Sequence, residues 1–212
     1  MYRYENQLGE SGYIHICGTD EAGRGPLAGP VVAAAVILDP DRVIPGIDDS
    51  KKLTPKLRER LAEMIKKEAI AYAVAVVSET RIDQINILEA TKEAMIKAIK
   101  DLKTKPDYIL TDFVKLEGFD VPLLPIVKGD QLSASIAAAS ILAKTTRDRI
   151  MTEMDLLYPG YGFAIHKGYP TKAHLEALER LGVAKIHRRS FKPVKASMER
   201  QLSLKLEDDE ND

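Results

Sequence analysis

Two adjacent carboxylates, Asp20 and Glu21, open the stretch Asp20-Glu21-Ala22-Gly23-Arg24-Gly25-Pro26. Two further aspartates stand where other apolar runs end: Asp112 after Tyr108-Ile109-Leu110-Thr111, and Asp130 after Leu123 to Gly129. Carboxylates at the ends of strands gather where open α/β sheets build their sites. No cysteine and histidine spacing suits zinc, so an all-oxygen site for Mg²⁺ or Mn²⁺ is the expectation. Two such ions can clamp the attacking and leaving oxygens of a phosphodiester. Each acid also has a plainer reading. Asp130 fits a helix N-cap, Asp112 a turn residue, and the Asp20-Glu21 pair a solvated surface.

The elements that must position these acids follow from periodicity. Ile14 to Thr19 reads as a first strand, Val31 to Leu38 as a second buried on both faces, and Ile70 to Val77 as a third. Neighbours on a regular strand face opposite ways, so a shared site for Asp20 and Glu21 predicts a backbone break there, eased by Gly23 and Gly25. Thr54-Pro55 starts a helix to about Glu68. Ile82 to Lys103 reads as a helical pair. Tyr108 to Leu110 is a short fourth strand, and Leu123 to Val127 an edge segment because of its prolines. Gln131 to Tyr158 reads as one long helix opened by Asp130. Helices follow at Thr171 to Leu181 and near Ala196 to Leu206.

These spans predict a catalytic core over residues 13–158 and a C-terminal helical extension over 159–206. Residues 1–12 and 207–212 read as flexible ends. The 212-residue chain has a net charge of −1. Acids crowd the last six positions, and setting them aside leaves a basic body. A single cysteine, no apolar signal core and no run long enough to span a bilayer predict a cytoplasmic protein without a membrane partner. A monomer is expected.

Five blocks now carry a resemblance. Asp20 to Gly25 with Pro26-Leu27-Ala28-Gly29-Pro30-Val31 resembles the opening signature of bacterial ribonuclease HII. Asp49-Ser50-Lys51-Lys52-Leu53, Ala139 to Asp148, His166-Lys167-Gly168-Tyr169-Pro170-Thr171 and His187-Arg188-Arg189-Ser190-Phe191 resemble its later blocks, in the same order. The resemblance runs from about Gly18 to Lys195.

It implies a ribonuclease H-like mixed sheet flanked by helices, with the C-terminal extension helping to grip a duplex. It implies that Asp20, Glu21, Asp112 and Asp130 hold two divalent ions. Gly23, Arg24 and Gly25 would read a ribonucleotide 2′-hydroxyl through their backbone, and Tyr169 would pack on the adjoining deoxyribose. The 2′-hydroxyl is the group that separates RNA from DNA. Lys52, Lys144 and Arg147 lie in blocks resembling those that meet phosphates, and Arg188, with Arg189 and Lys192, would track the duplex or pair with the acidic tail. The plainer readings are a solvated helix face for the cations and a loop-covering aromatic for Tyr169. Asp148 reads as a partner for a neighbouring arginine, and His166 and His187 receive no chemistry.

The activity so implied is hydrolysis of the RNA strand of RNA–DNA hybrids. It extends to incision 5′ to single ribonucleotides in duplex DNA, leaving 3′-hydroxyl and 5′-phosphate ends. Water is then the nucleophile, so the 2′-hydroxyl is recognised and not consumed. Two other readings use the same residues: a nuclease on a similar core that cuts plain DNA, and a hybrid-binding protein without a working metal site.

Overall fold

The computed structural model describes residues 1–209, with side chains described through residue 203. In chain order the elements are α1 (Arg3–Glu10), β1 (Ile16–Ala22), β2 (Val31–Ile37), α2 (Pro55–Glu68), β3 (Ala71–Val77), α3 (Glu79–Lys100), β4 (Tyr108–Asp112), β5 (Leu123–Ile126), α4 (Gly129–Leu132), α5 (Ala134–Leu157), α6 (Phe163–His166), α7 (Lys172–Leu181) and α8 (Lys192–Asp209). The five strands form one mixed sheet in the order β3-β2-β1-β4-β5. β1, β2 and β3 pair antiparallel, whereas β4 and β5 continue from β1 in parallel.

Strand β2 shows why the sheet is covered on both faces. Every residue from Val31 to Ile37 is buried. Val31, Ala33, Ala35 and Ile37 face the α3 side and pack with Ala90, Ala94, Met95 and Ala98. Val32, Ala34 and Val36 face the other way, onto Ala134, Ala137, Ala138 and Ile141 of α5 and Leu61 and Ile65 of α2. The two-residue strand period divides one apolar run between two cores. Small residues on α5 let that helix lie close to the sheet. A Cβ at Gly18 would overlap the backbone of Ser135 and Ile136, so only glycine permits that approach.

Two expectations about the elements change and a third holds. Residues 1–12 are not a loose lead-in. They form α1, held by Ile44 N–H donating to the Tyr2 hydroxyl and by Glu5 accepting from Ser133 and Ser135. The long helix from Gln131 is two helices, because Ser133 is extended (φ −121°, ψ 129°) and caps Ile136 N–H with its own hydroxyl. Asp130 therefore sits in the short α4. The helical pair expected from Ile82 holds: α3 is two helices joined at a kink, with Asn86 (φ 67°, ψ 166°) at the joint. The Asn86 side chain caps Leu88 and Glu89 there. Of the acidic end read as flexible, residues 207–209 continue α8, and residues 210–212 lie outside the described residues.

Beyond α5 the chain turns back over the loop that follows β1. Ala28 packs with Met151, Tyr161, Phe163 and Ile186, and Leu27 with Leu178 and Val194. The described helices include none long and apolar enough to cross a membrane.

Candidate active site

Three of the four acids, Asp20, Asp112 and Asp130, meet where the centre of the sheet runs out, and Glu21 lines the cleft beside them. Pairing of β1 with β4 stops at Thr19↔Thr111, while β1 stays paired with β2 through Ala22. Asp20 and Glu21 thus project past the last β1–β4 rung without any break in the strand, contrary to the expected irregularity. Gly18 and Asp20 face α5, and Glu21 leaves from the opposite face. With no β4 neighbour beside them, both carboxylates reach the same cleft. Asp112 is the last residue of β4. Its Oδ1 accepts from Gly129 N–H at 2.7 Å, which ties the start of α4 to the end of β4. Asp130, only 2% exposed, follows at once. Carboxylate oxygens of Asp20, Asp112 and Asp130 all lie within 4.8 Å of one another.

The electrostatics of this corner favour a cation. Burial, reinforced by repulsion from Glu21 and Asp112, pushes the Asp20 carboxyl well above the usual carboxylate range. Burial also raises Glu21, with Asp112 adding to the effect, and raises Asp112, with Asp130 adding to it. Oε2 of Glu21 is buried with no hydrogen-bond partner. An unpartnered buried carboxylate oxygen beside three clustered aspartates fits a hard divalent ion with oxygen ligands.

The cleft wall opposite the acids is the turn Gly23-Arg24-Gly25, with Tyr169, Lys144, Lys51 and Ser140 around it. Gly23 has φ +102°, and a Cβ there would overlap the Arg147 guanidinium. Tyr169 is 41% exposed and lies across Gly25. Arg24 Nη1 reaches Glu21 Oε1 at 3.4 Å.

Comparison with known proteins places this arrangement. The family model described as Ribonuclease HII matches residues 17–194. The chain belongs to the ribonuclease HII family. A ribonuclease HII of Syntrophomonas wolfei is 56% identical over 196 residues, covering 92% of this chain and 77% of that protein. One of Clostridioides difficile is 55% identical over 188 residues, covering 89% of this chain and 74% of its own. Among solved structures, ribonuclease H2 of Pyrococcus horikoshii superposes with a TM-score of 0.76 at 28% identity, covering 87% of this chain and 97% of that one. The ribonuclease H-like mixed sheet and the nuclease class expected from the sequence both hold.

Within this ribonuclease HII chain, three cations expected at phosphates take other positions. Arg147 is 1% exposed and donates to the carbonyls of Pro30, Lys167 and Ala28. Arg188 is fully buried and donates to the carbonyls of Gly23, Arg24, Pro26, Gly29 and Pro30. Burial lowers their pKa values to about 10 and about 9. Neither arginine lies on a solvated face; together they set the shape of residues 23–30. Lys52 points away and pairs with Asp48 at 3.2 Å. Its neighbour Lys51 turns inward instead, because the Asp49–Lys52 turn, closed by Lys52 N–H donating to the Asp49 carbonyl, sends successive side chains apart. Lys144 does line the cleft, paired with Asp148. Asp148 also meets Arg58 at 3.0 Å, the arginine partner expected for it.

Ser140 and Ser50 were missed in the sequence. Their hydroxyls share a hydrogen bond at 2.9 Å, and Ser140 lines the cleft together with Asp20. Nothing in a serine among alanines on a long helix announces such a role; only the pairing of two distant blocks reveals it. The histidines also have a defined task. His166 Nδ1 accepts from Gly168 N–H, and its Nε2 meets the Tyr161 carbonyl. His174 Nδ1 meets the Tyr169 carbonyl at 2.9 Å, and its Nε2 lies 3.1 Å from His187 Nε2. His187 Nδ1 accepts from Ala184 N–H. One set of tautomers satisfies all of this: three neutral rings, with His174 protonated at Nδ1 and His187 at Nε2.

Proposed function

We propose that this chain is an endoribonuclease that hydrolyses the RNA strand of RNA–DNA hybrids and incises 5′ to a single ribonucleotide embedded in duplex DNA. The observation that carries the reading is the convergence of Asp20, Asp112 and Asp130 within 4.8 Å, beside a positive-φ glycine turn and a half-exposed tyrosine. Asp20, Glu21, Asp112 and Asp130 would hold two divalent ions, Mg²⁺ or Mn²⁺. Such ions, when bound, supply activation of water and stabilisation of the departing 3′-oxygen.

The chain's own residues do the rest. Backbone N–H groups of Gly23 to Gly25 meet the 2′-hydroxyl, held in place by Arg188, which donates to the carbonyls of Gly23 and Arg24. Tyr169 packs on the next sugar and so senses the step from RNA to DNA. Lys144 and Lys51 face the phosphate, and Arg24 stands beside Glu21. Because the attacking group is water, the products keep a 3′-hydroxyl and carry a 5′-phosphate. The substrate duplex is the expected partner of a monomer, and the free, buried Cys17 supports a reducing compartment such as the cytoplasm.

The test is incubation with a duplex carrying one ribonucleotide, with the cut mapped to the nucleotide, alongside an all-DNA duplex. A cut 5′ to the ribonucleotide, dependent on Mg²⁺ or Mn²⁺ and absent from DNA, is expected. Equal cleavage of both duplexes would favour a general nuclease on the same core. Saturable hybrid binding without any cleavage would favour a binding protein.

A further inference from the structure

Helix α1 lies outside residues 17–194, the span the family model matches. It nevertheless reaches the joint that places one of the four acids. Oε1 of Glu5 accepts from Ser133 Oγ at 2.6 Å, Ser135 N–H at 2.9 Å and Ser135 Oγ at 2.6 Å. Ser133 is the extended residue at which α4 ends and α5 begins, three positions after Asp130.

The first turn of a helix leaves four backbone N–H groups that need partners from elsewhere. In α5 every one of these can be traced. Ser133 N–H donates to the Gly129 carbonyl, Ala134 N–H to the Met1 carbonyl, Ser135 N–H to Glu5 and Ile136 N–H to the Ser133 hydroxyl. Residues 1–5 thus satisfy two of the four. A carboxylate there also suits the positive end of the helix dipole. The joint has little room on its other side, since the backbone at Ser135 and Ile136 presses on Gly18, two residues before Asp20. Ser133 N–H in turn donates to the Gly129 carbonyl, and Gly129 N–H to Asp112. A hydrogen-bonded path therefore runs from Glu5 through Ser133 and Gly129 to Asp112, with Asp130 carried on it.

We propose that Glu5 is a positioning residue for Asp130: by bonding Ser133 and Ser135 it locks the α4–α5 joint in the register that turns Asp130 toward Asp20 and Asp112. Without Glu5, Ser135 N–H and one of the two buried serine hydroxyls lose their acceptor, since the hydroxyls lie 3.1 Å apart and only one can donate to the other. The first turn of α5 then unwinds or rotates to recover one, and Asp130 moves with it. The inference rests on the metal-site reading given above.

The test uses the full chain and compares Glu5→Ala, Glu5→Gln and Asp130→Asn with the wild type, all well below their melting temperatures. Mn²⁺ binding is followed by calorimetry, and cleavage by kcat and KM at saturating and limiting Mg²⁺. Glu5→Ala should weaken Mn²⁺ on the order of tenfold, as for other partners that orient metal ligands. It should lower kcat at limiting Mg²⁺ and leave KM for the duplex unchanged. Glu5→Gln, whose amide oxygen can take the same donors, should recover most of the loss. A lowered melting temperature with wild-type Mn²⁺ affinity would make Glu5 a plain anchor for α1 and overturn the proposal. Should Glu5→Ala not fold, the double variant Ser133→Ala with Ser135→Ala removes both hydroxyl donors to Glu5; wild-type Mn²⁺ affinity in that variant overturns the proposal equally. Saturable binding that needs Asp130 but ignores Glu5 defeats this inference alone. A wild type that binds no Mn²⁺, or binding unchanged in Asp130→Asn, defeats the metal-site reading and this inference with it.

Discussion

Nζ of Lys51 lies 3.1 Å from Oδ2 of Asp130, although the lysine side chain is 77% exposed. Its ammonium thus stands beside a carboxylate proposed as a metal ligand. Lys51→Met should tighten Mn²⁺ binding. An ion pair to an exposed lysine is worth up to about 1 kcal/mol, so the gain should reach no more than about fivefold. Calorimetric titration of the two proteins reads this directly, and weaker binding in the variant would show that the lysine assists rather than competes.

Asp112→Asn should keep the fold and lose the chemistry. The amide oxygen can still accept from Gly129 N–H, so the tie between β4 and α4 survives. Loss of one charge from a catalytic metal cluster removes several kcal/mol of transition-state stabilisation, on the order of a thousandfold in rate. The metal-free melting temperature at pH 7 should stay level or rise, because the Asp112 carboxyl is raised by burial and by Asp130. Cleavage at the wild-type rate in Mg²⁺ would remove Asp112 from the site.

Tyr169→Ala should separate selectivity from affinity. The ring lies over Gly25 at the cleft edge and is half exposed. Cleavage at a lone ribonucleotide should fall more than affinity for duplex. Equal losses on every substrate would make it a packing residue.

The neutral histidine relay predicts acid sensitivity. Burial, aided by the neighbouring His174, lowers the His187 pKa from 6.5 to about 4, and burial lowers His174 as well. A folded pKa below the unfolded one means that the contribution to stability is complete above about pH 6.5. It is lost as pH falls toward 4. A second proton on His174 would set two N–H groups against each other across the 3.1 Å gap to His187. Melting temperature should therefore decline between pH 6.5 and 4.5. His187→Gln should be less stable at pH 7 yet show a flatter decline, and a parallel decline in both proteins would assign the acid sensitivity to the carboxylates instead.

Gly23→Ala and Arg188→Ala should both destabilise the turn that faces the acids. The first forces a Cβ onto Arg147 at a positive φ and should cost about 2 kcal/mol or more. The second leaves the carbonyls of Gly23, Pro26 and Gly29 short of a buried donor. At about 1–3 kcal/mol for each unsatisfied group, a total of at least about 3 kcal/mol is expected. Urea unfolding measures both, and a loss under 1 kcal/mol in Arg188→Ala would contradict the structural role given to it.

Much of this site could be read from residue order because its acids stand at or just beyond the ends of apolar runs, and those runs follow from periodicity. The sheet brings Asp20 and Asp112 together, and the short α4 tied to Asp112 adds Asp130. What periodicity cannot carry is direction. Arg147 and Arg188 look like surface cations until the carbonyls of residues 23–30 are found around them. Lys51 and Lys52 are indistinguishable until a turn sends one inward. The break at Ser133 was hidden for a related reason: its cap is its own hydroxyl, and the support for that cap comes from Glu5, 128 residues away. Helix α1 read as a loose end because its apolar side is short, Tyr4 and Leu8 against Ile16, Ile126 and Ile136, and the rest of its anchoring is that bond and the Tyr2 hydroxyl.

The bond from Arg188 to Gly23 joins residues 165 positions apart. A nascent chain could pair its first two strands soon after they are made, yet the turn facing its acids would stay unformed until almost all of the polypeptide had been translated. Shape at the first motif is thus written by the last block, and a product shortened before residue 188 would carry the clustered acids without the bonds that shape the turn opposite them.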